Sequence, residues 1–501
     1  MSDKELHERV RAESLFTVLF IFIAATLSAA PPAAAQTGAR PGPSVVAGAR
    51  KSPDVAFASR AGRRCDRYVS TEGDDARAGD EVRTAWKTIG KALRTLRAGE
   101  VGCVLPGTYE EGHNEAQNNG RADAPIVLRR APGFAAMPVV KPKGPVAVFH
   151  IDRDYWVVDG FDIDVNFQKV TGFRFYDNAD HGVLRNSRLH NSTSGSNVYV
   201  SGRDILIENC EIFNNFKTDE EDSHGVAIVP PASRVSVRRN RIWDNGGDGV
   251  QCEDYATAPV NPEDIIIEDN QIFTTPANYG RTENAVDIKS CKYITIRGSS
   301  PPSPSRPGAA KSRFYGFALK PTARGEGVVV HYNARHVLFE NNVIQDVCRG
   351  LSVGRGEDKQ TLVRELVVRR NIIENLRQGT NCDGNGILIS RAEHLDVYGN
   401  VLRNIPRAGF RIGVNNSTGS PDRDVDFWGN TVGPAARWID VAAEPGKLES
   451  FASDRNRFVE SVGASEKFFV DGKPFGLDAW RRLAGSPSIQ KADPGSNLRR
   501  E

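Results

Sequence analysis

The octets "VSVRRNRI" (235–242) and "IIIEDNQI" (265–272) share one pattern: alternating apolar residues, two polar residues, then Asn and an apolar residue. The pattern returns in "VLFENNVI" (337–344), "LVVRRNII" (366–373), "LDVYGNVL" (395–402) and "VDFWGNTV" (425–432). Its Asn positions are Asn240, Asn270, Asn342, Asn371, Asn400 and Asn430, while Cys210 and Ser299 fill the same slot in "ILIENCEI" and "ITIRGSSP". From Cys210 onward the steps are 30, 30, 29, 43, 29, 29 and 30 residues. A period near 30 with one longer step describes a solenoid whose insertions are confined to loops.

Each repeat holds three short runs rich in Val and Ile, with no helical period between them. The first run is a Gly or Ala followed by alternation: "HGVAIV" (224–229), "DGVQCE" (248–253), "NAVDIK" (284–289), "EGVVVH" (326–331), "RGLSVG" (349–354), "NGILIS" (385–390) and "AGFRIG" (408–413). The second run leads into the Asn, and a third of two or three residues follows it. Asn suits the bend between them because it tolerates left-handed backbone and its amide can bond stacked neighbours. The chain therefore reads as all-β, a right-handed parallel β-helix of about ten to twelve coils. It resembles the pectin-lyase-like proteins over residues 63 to 460.

Composition agrees. Gly numbers 47, Met only 2, and aromatic residues make up 8%, which suits turn-rich β structure better than a helical bundle. Lys plus Arg is 65 against Asp plus Glu 63, so the net charge of +2 gives no reason to expect a nucleic-acid partner.

The expected organisation runs outward from the repeats. Residues 1–35 read as a signal peptide: "LFTVLFIFIAATLSAA" (15–30) is short for a spanning helix, and Ala-x-Ala precedes Gln36. An uncleaved anchor is the alternative. Export to the periplasm or beyond is expected, with no stable membrane insertion after cleavage. Residues 36–62 read as a disordered linker. Residues 63–125 form an N-terminal cap, in which Trp86, Ile89, Leu93 and Leu96 share one helical face. The β-helix proper is expected over 126–460, and a C-terminal cap and tail over 461–501, with a helix in "FGLDAWRRLAG" (475–485). A solenoid needs caps because its end coils otherwise expose an apolar face and open sheet edges. The protein is expected to be a monomer. Of seven cysteines, Cys65 with Cys103 and Cys348 with Cys382 are the expected disulfides, leaving a buried thiol such as Cys210.

Strand alternation sorts the first runs into inward and outward side chains. The outward pairs are Arg174 and Tyr176, Tyr199 and Ser201, Ala227 and Val229, Gln251 and Glu253, Asp287 and Lys289, Val329 and His331. After these the face goes quiet, with Ser352 and Gly354, Leu388 and Ser390, Arg411 and Gly413. Glu253, Lys289 and His331 should form one row, with Asp287 about 6.5 Å from Lys289 on the same face. Insertions at 271–284 and 300–326, and the exit loop "EDYATAPVNPED" (253–264), would wall this strip into a cleft. The plain alternative is a ladder of cross-strand ion pairs, each worth a few tenths of a kcal/mol.

"ENAVDIKS" (283–290) is similar to the Lys-Ser strand of chondroitinase B-type and alginate lyases, and more loosely to the Asp-Gly-x-x-x-Lys strand of a calcium-dependent pectate lyase family. That resemblance implies a polysaccharide lyase acting on an acidic polysaccharide, with Lys289 removing the proton α to a uronate carboxylate. It also implies calcium, for which Asp248, Glu253, Glu283 and Asp287 are the candidate ligands. Beside an unmasked Asp287, Lys289 would keep its proton and make a poor base, so base and metal assignments stand together. His331 is a candidate acid or substrate contact and Arg355 a further catalytic candidate. Arg391 and Gln251 are candidate substrate-binding residues. The Asp-Asp and Arg-Ile-Lys patterns of pectin-hydrolysing β-helices are absent, although His224-Gly225 matches one fragment, and so is the Asp-Pro-His-Asp pattern of alginate epimerases. Glu253 and Asp287 keep an inverting glycosidase as the alternative enzyme. A non-catalytic glycan-binding surface protein is the third reading.

Overall fold

A computed structural model describes residues 64–500, except 113, 217–221, 254–259, 277–281, 319–324, 355–360, 414–420, 443–445, 461–465 and 487. The expected signal peptide and linker lie outside the described residues.

Each coil visits three parallel sheets in turn. The sheet holding the "first runs", called here the first sheet, has 14 strands; the second has 15 and the third 14. In the first sheet only the last pair, Phe468–Val470 with Lys473–Phe475, is antiparallel, which leaves 14 − 1 = 13 parallel rungs among the described residues. Such short parallel strands connected by crossovers take the right-handed course. Alternation holds throughout: Val226 and Ile228, Val286 and Ile288, Val328 and Val330 all point inward and are at most 1% exposed.

The sheets run past both expected limits. Arg67–Val69 already pairs with Val101–Val104, and Ile489–Ala492 and Asn497–Arg500 rejoin the second and third sheets after the terminal helix. These end coils lack the Asn signature at their bends, so the repeat alone did not extend to them. A short helix lies near each end of the described sheets. Thr88 caps the helix Ile89–Thr95 by accepting from the Lys91 N–H, and Trp86, Ile89, Leu93 and Leu96 are buried. At the other end Trp480, on the short helix Leu477–Arg481, stacks on Phe468 at 5.1 Å.

The Asn residues form one line through the core. Asn240 N donates to Asn270 Oδ1 at 2.9 Å, Asn342 N to Asn371 Oδ1 at 2.9 Å, Asn371 N to Asn400 Oδ1 at 3.0 Å and Asn400 N to Asn430 Oδ1 at 3.0 Å. Cys210 N joins at one end, and Asn456 then Ser496 extend the line at the other. Two details differ from the sequence reading. The left-handed residue is the one before the ladder Asn, as at Arg239, Asp269, Asn341 and Arg370 (φ 55–61°), which explains the glycines at 399 and 429. The slot of the longest coil belongs to Ser312, whose Oγ donates to Asn342 Oδ1 at 2.7 Å, and not to Ser299. The expected insertion at 300–326 is thereby split: 298–312 lies between the second and third sheets of that coil, where it cannot wall the first sheet, and only the part after Tyr315 leads into the first sheet.

Cys65–Cys103 and Cys348–Cys382 are bonded and Cys210 is a buried thiol, as expected. A third disulfide, Cys252–Cys291, was not foreseen. Cys252 points inward and Cys291 follows the next coil's strand, so alternation alone does not bring them together until that strand bends. The bridge ties the rung carrying Gln251 to the rung carrying Lys289.

Candidate active site

Register places the outward residues of the first sheet in a straight row. Arg174 lies beside Tyr199, Tyr199 beside Ala227, Ala227 beside Gln251, Gln251 beside Asp287 and Asp287 beside Val329. In the parallel row Lys289 lies beside His331.

At the centre, Asp287 stands between two bases. Its Oδ2 is 3.9 Å from Lys289 Nζ and its Oδ1 is 2.8 Å from His331 Nε2. The imidazole contact lies off the hydrogen-bonding direction, so both of those buried atoms remain without a hydrogen bond. Gln251 Oε1, one rung away, is also buried and unbonded. Burial pulls the Lys289 ammonium toward neutrality, but the charges of Asp287, Glu253 and Asp248 outweigh it and hold its pKa above the usual lysine value.

The two rows open into a groove of about 460 Å³. Its floor is Arg174, Tyr199, Ala227, Gln251, Glu253 and Lys289; Ser194–Ser196, Asp222 and His224 line its side. Of these, only Gln251, Glu253 and Lys289 were expected as site residues. Alternation sorts Arg174 and Tyr199 outward, but the expected site falls on the three consecutive coils of Gln251, Asp287 and Val329; the small Ala227 between lets the floor run on. His224 and Asp222 belong to the turn entering a strand, where alternation gives no direction. His224 is fixed by Asp248, whose backbone N–H donates to Nδ1 at 3.0 Å and whose Oδ2 is 3.4 Å away. Burial pulls this imidazole down, yet the hydrogen bond and charge of Asp248 raise its pKa overall. Gly247 leaves room for the ring, since a Cβ there would meet Nδ1 at 2.8 Å.

At one end of the floor, Arg174 packs between two tyrosines. Its guanidinium lies 4.9 Å over the Tyr199 ring and donates to Tyr176 Oη at 3.1 Å. Its Nε is buried without a hydrogen bond.

The expected site residues separate. Lys289, Gln251 and Glu253 line the groove, and Asp287 and His331 sit behind Lys289. Asp248 is fully buried and spent within the protein: Oδ1 accepts from Asn284 N and Nδ2 at 3.0 and 2.9 Å, and Oδ2 from Gln251 Nε2 at 3.0 Å. It is a bracket for His224 and the 284 turn, so the expected ligand role does not fit it. Glu283 is exposed and is not among the lining residues. Arg391 is only 6% exposed and donates from Nε to the Gly354 carbonyl at 2.8 Å, which ties two coils together and removes it from the groove. Arg355 lies outside the described residues, as does part of the exit loop, 254–259.

For calcium, the unbonded oxygens of Asp287 and Gln251 on adjacent rungs fit, with the Glu253 carboxylate in the groove beside them. Among the described residues no three carboxylate, imidazole or thiolate groups form a cage on their own. An ion there would need further oxygens from water and ligand, because calcium takes six to eight.

The family model described as a right handed beta helix region matches residues 148–300, which include the groove from Arg174 to Lys289. No curated protein matches the chain. Among solved structures, pectate lyase Pel9A is similar at 15% identity and a TM-score of 0.43, over 66% of this chain and 79% of that one. A rhamnogalacturonan lyase is similar at 14% identity and 0.44, over 67% and 87%. A lacto-N-biosidase from Eubacterium ramulus is similar at 12% and 0.43, over 80% and 69%. The three parallel sheets and the matched region agree on the architecture: the chain folds as a right-handed parallel β-helix.

Proposed function

We propose that the protein is an exported, monomeric polysaccharide lyase that holds an acidic polysaccharide in the first-sheet groove and cleaves it by β-elimination. The observation that carries this reading is Lys289, a half-buried amine lining an open groove with carboxylates behind and beside it. The neutral amine removes the proton α to a uronate carboxylate. The electron pair passes into the carboxylate system and then forms the carbon–carbon double bond as the β carbon–oxygen bond breaks. The leaving oxygen takes a proton from His224, the one imidazole among the groove's lining residues. The donor is the imidazolium form of His224, which the Asp248 carboxylate favours, and it returns to the neutral ring on giving up this proton. His331 acts from behind, positioning Asp287.

The raised pKa of Lys289 is the obstacle, since little neutral amine exists near neutral pH. A calcium ion on Asp287 Oδ1 and Gln251 Oε1, with Glu253, would draw in the substrate carboxylate and offset the charge that keeps Lys289 protonated.

Incubation with pectate, alginate and glycosaminoglycans, with and without chelator, tests this reading. Ultraviolet absorbance of an unsaturated uronide is the expected product signal. Saturated reducing sugars would replace the reading with hydrolysis, and binding without turnover would reduce it to a glycan-binding surface.

A further inference from the structure

Resting on the acidic-polysaccharide reading above, we infer that Arg174, flanked by Tyr176 and Tyr199, is a second anion subsite that grips a carboxylate of the bound chain far from the reaction centre. The Arg174 guanidinium has no carboxylate partner among the described residues. Its contacts are the Tyr176 hydroxyl at 3.1 Å and the faces of the Tyr176 and Tyr199 rings at 5.8 and 4.9 Å. Elsewhere on this β-helix, arginines stacked coil over coil meet acids: Arg234 with Asp204, Arg238 with Glu208, Arg297 with Glu268, Arg369 with Glu340. Arg174 departs from that habit at a position that lines the groove.

The tyrosines matter to the chemistry. Ring faces hold the planar guanidinium without neutralising it, so its hydrogen-bonding edge keeps full charge for a ligand. The buried, unbonded Nε is a donor that an incoming carboxylate could satisfy together with a terminal nitrogen, the bidentate geometry that arginine offers and lysine does not. A neutral sugar would leave the cation uncompensated as water is displaced.

Register supplies the spacing. Arg174, Tyr199, Ala227, Gln251 and Asp287 are successive rungs, so Arg174 stands four rungs, or about 19 Å, from the rung of Lys289 along the helix axis. The polymer therefore lies along the axis, across the strands, with acidic units recurring on both sides of the intervening Ala227. That selects a chain acidic at more than one residue over one with a single acidic terminus.

Binding of polygalacturonate and of alginate, measured by calorimetry on the intact protein, tests the subsite. Arg174→Ala should weaken affinity by about ten- to a hundredfold, and Arg174→Lys should recover only part of it. Disaccharides, too short to reach both ends, should bind all three proteins alike. In turnover, the Arg174→Ala defect should fall on KM more than on kcat. Unchanged polymer affinity in a folded Arg174→Ala protein overturns the proposal, as does failure of the unaltered protein to bind either polymer. The two readings fail separately. Arg174-dependent binding with no unsaturated product removes the lyase reading and keeps the subsite; product formation indifferent to Arg174 does the reverse.

Discussion

Replacing Asn371 by Ala should be among the costliest single changes in the protein, although it touches neither groove nor surface. Asn371 is 1% exposed. Its Oδ1 accepts from Asn342 N and Nδ2 at 2.9 and 3.0 Å, and its Nδ2 donates to Phe339 O and Asn400 Oδ1 at 2.9 and 3.1 Å. Some partners keep other bonds. Asn342 Nδ2 still reaches Ile296 O and Glu340 O, and Asn400 Oδ1 still accepts from Asn371 N. The Asn342 N–H and one lone pair of Phe339 O are left without the amide in a dry core. At roughly 1–3 kcal/mol for each of the two buried groups stranded, the loss is about 2–6 kcal/mol. Equilibrium denaturation followed by tryptophan fluorescence would measure it, against the exposed Glu110→Ala as a control expected within about 0.5 kcal/mol. Asn371→Asp should be at least as damaging at neutral pH, because a carboxylate would face Asn400 Oδ1 and the Phe339 carbonyl. A loss from Asn371→Ala no larger than that from Glu110→Ala, or a benign Asn371→Asp, would refute the ladder as a source of stability.

Lys289→Ala should abolish turnover and leave the denaturation midpoint nearly unchanged, since the side chain lies in the groove; retained activity would remove it as the base. In the intact enzyme kcat should climb about tenfold per pH unit above neutrality, because the pKa of Lys289 is raised, and calcium should move that climb to lower pH. Asp422 is fully buried, where desolvation pushes its carboxyl up to about 7 against backbone hydrogen bonds that pull it down. Because the folded value exceeds the unfolded one, stability should be highest below about pH 4 for this group and fall as pH rises toward 7, by a few kcal/mol in all. Asp422→Asn should flatten that slope in pH-dependent denaturation, and an unaltered slope would contradict it. Seven cysteines less three disulfides leave one thiol, so the denatured, unreduced protein should titrate a single thiol per chain. Replacing Cys252 and Cys291 by Ser should cost up to about 4 kcal/mol, from a closed loop of 39 residues.

The coil period, the three strands per coil and the outward row from Arg174 to Arg411 were legible because parallel strands alternate strictly and a buried amide ladder tolerates few residue types. What was not legible lay where periodicity stops. His224 and Asp222 sit in turns, whose direction depends on the neighbouring coil. Asp248 reads as a metal ligand until its hydrogen-bonded neighbours His224, Gln251 and Asn284, on the preceding, the same and the following coil, are in place. Arg391 was assigned by its charge, yet its backbone is left-handed and its guanidinium folds back onto the Gly354 carbonyl. Charge in a sequence reports that a partner is needed and says nothing of whether the protein already supplies it.

The stacking of the first sheet turns the groove into a ruler. Its markings are strands about 4.8 Å apart, and the distance between the arginine end and the lysine end can change only by whole markings. Adding or deleting one complete coil between Tyr199 and Gln251 would shift that interval by one marking while leaving the chemistry at either end untouched. The interval between the two ends is thus inherited from the count of coils, a property that drift at individual surface residues cannot easily erode.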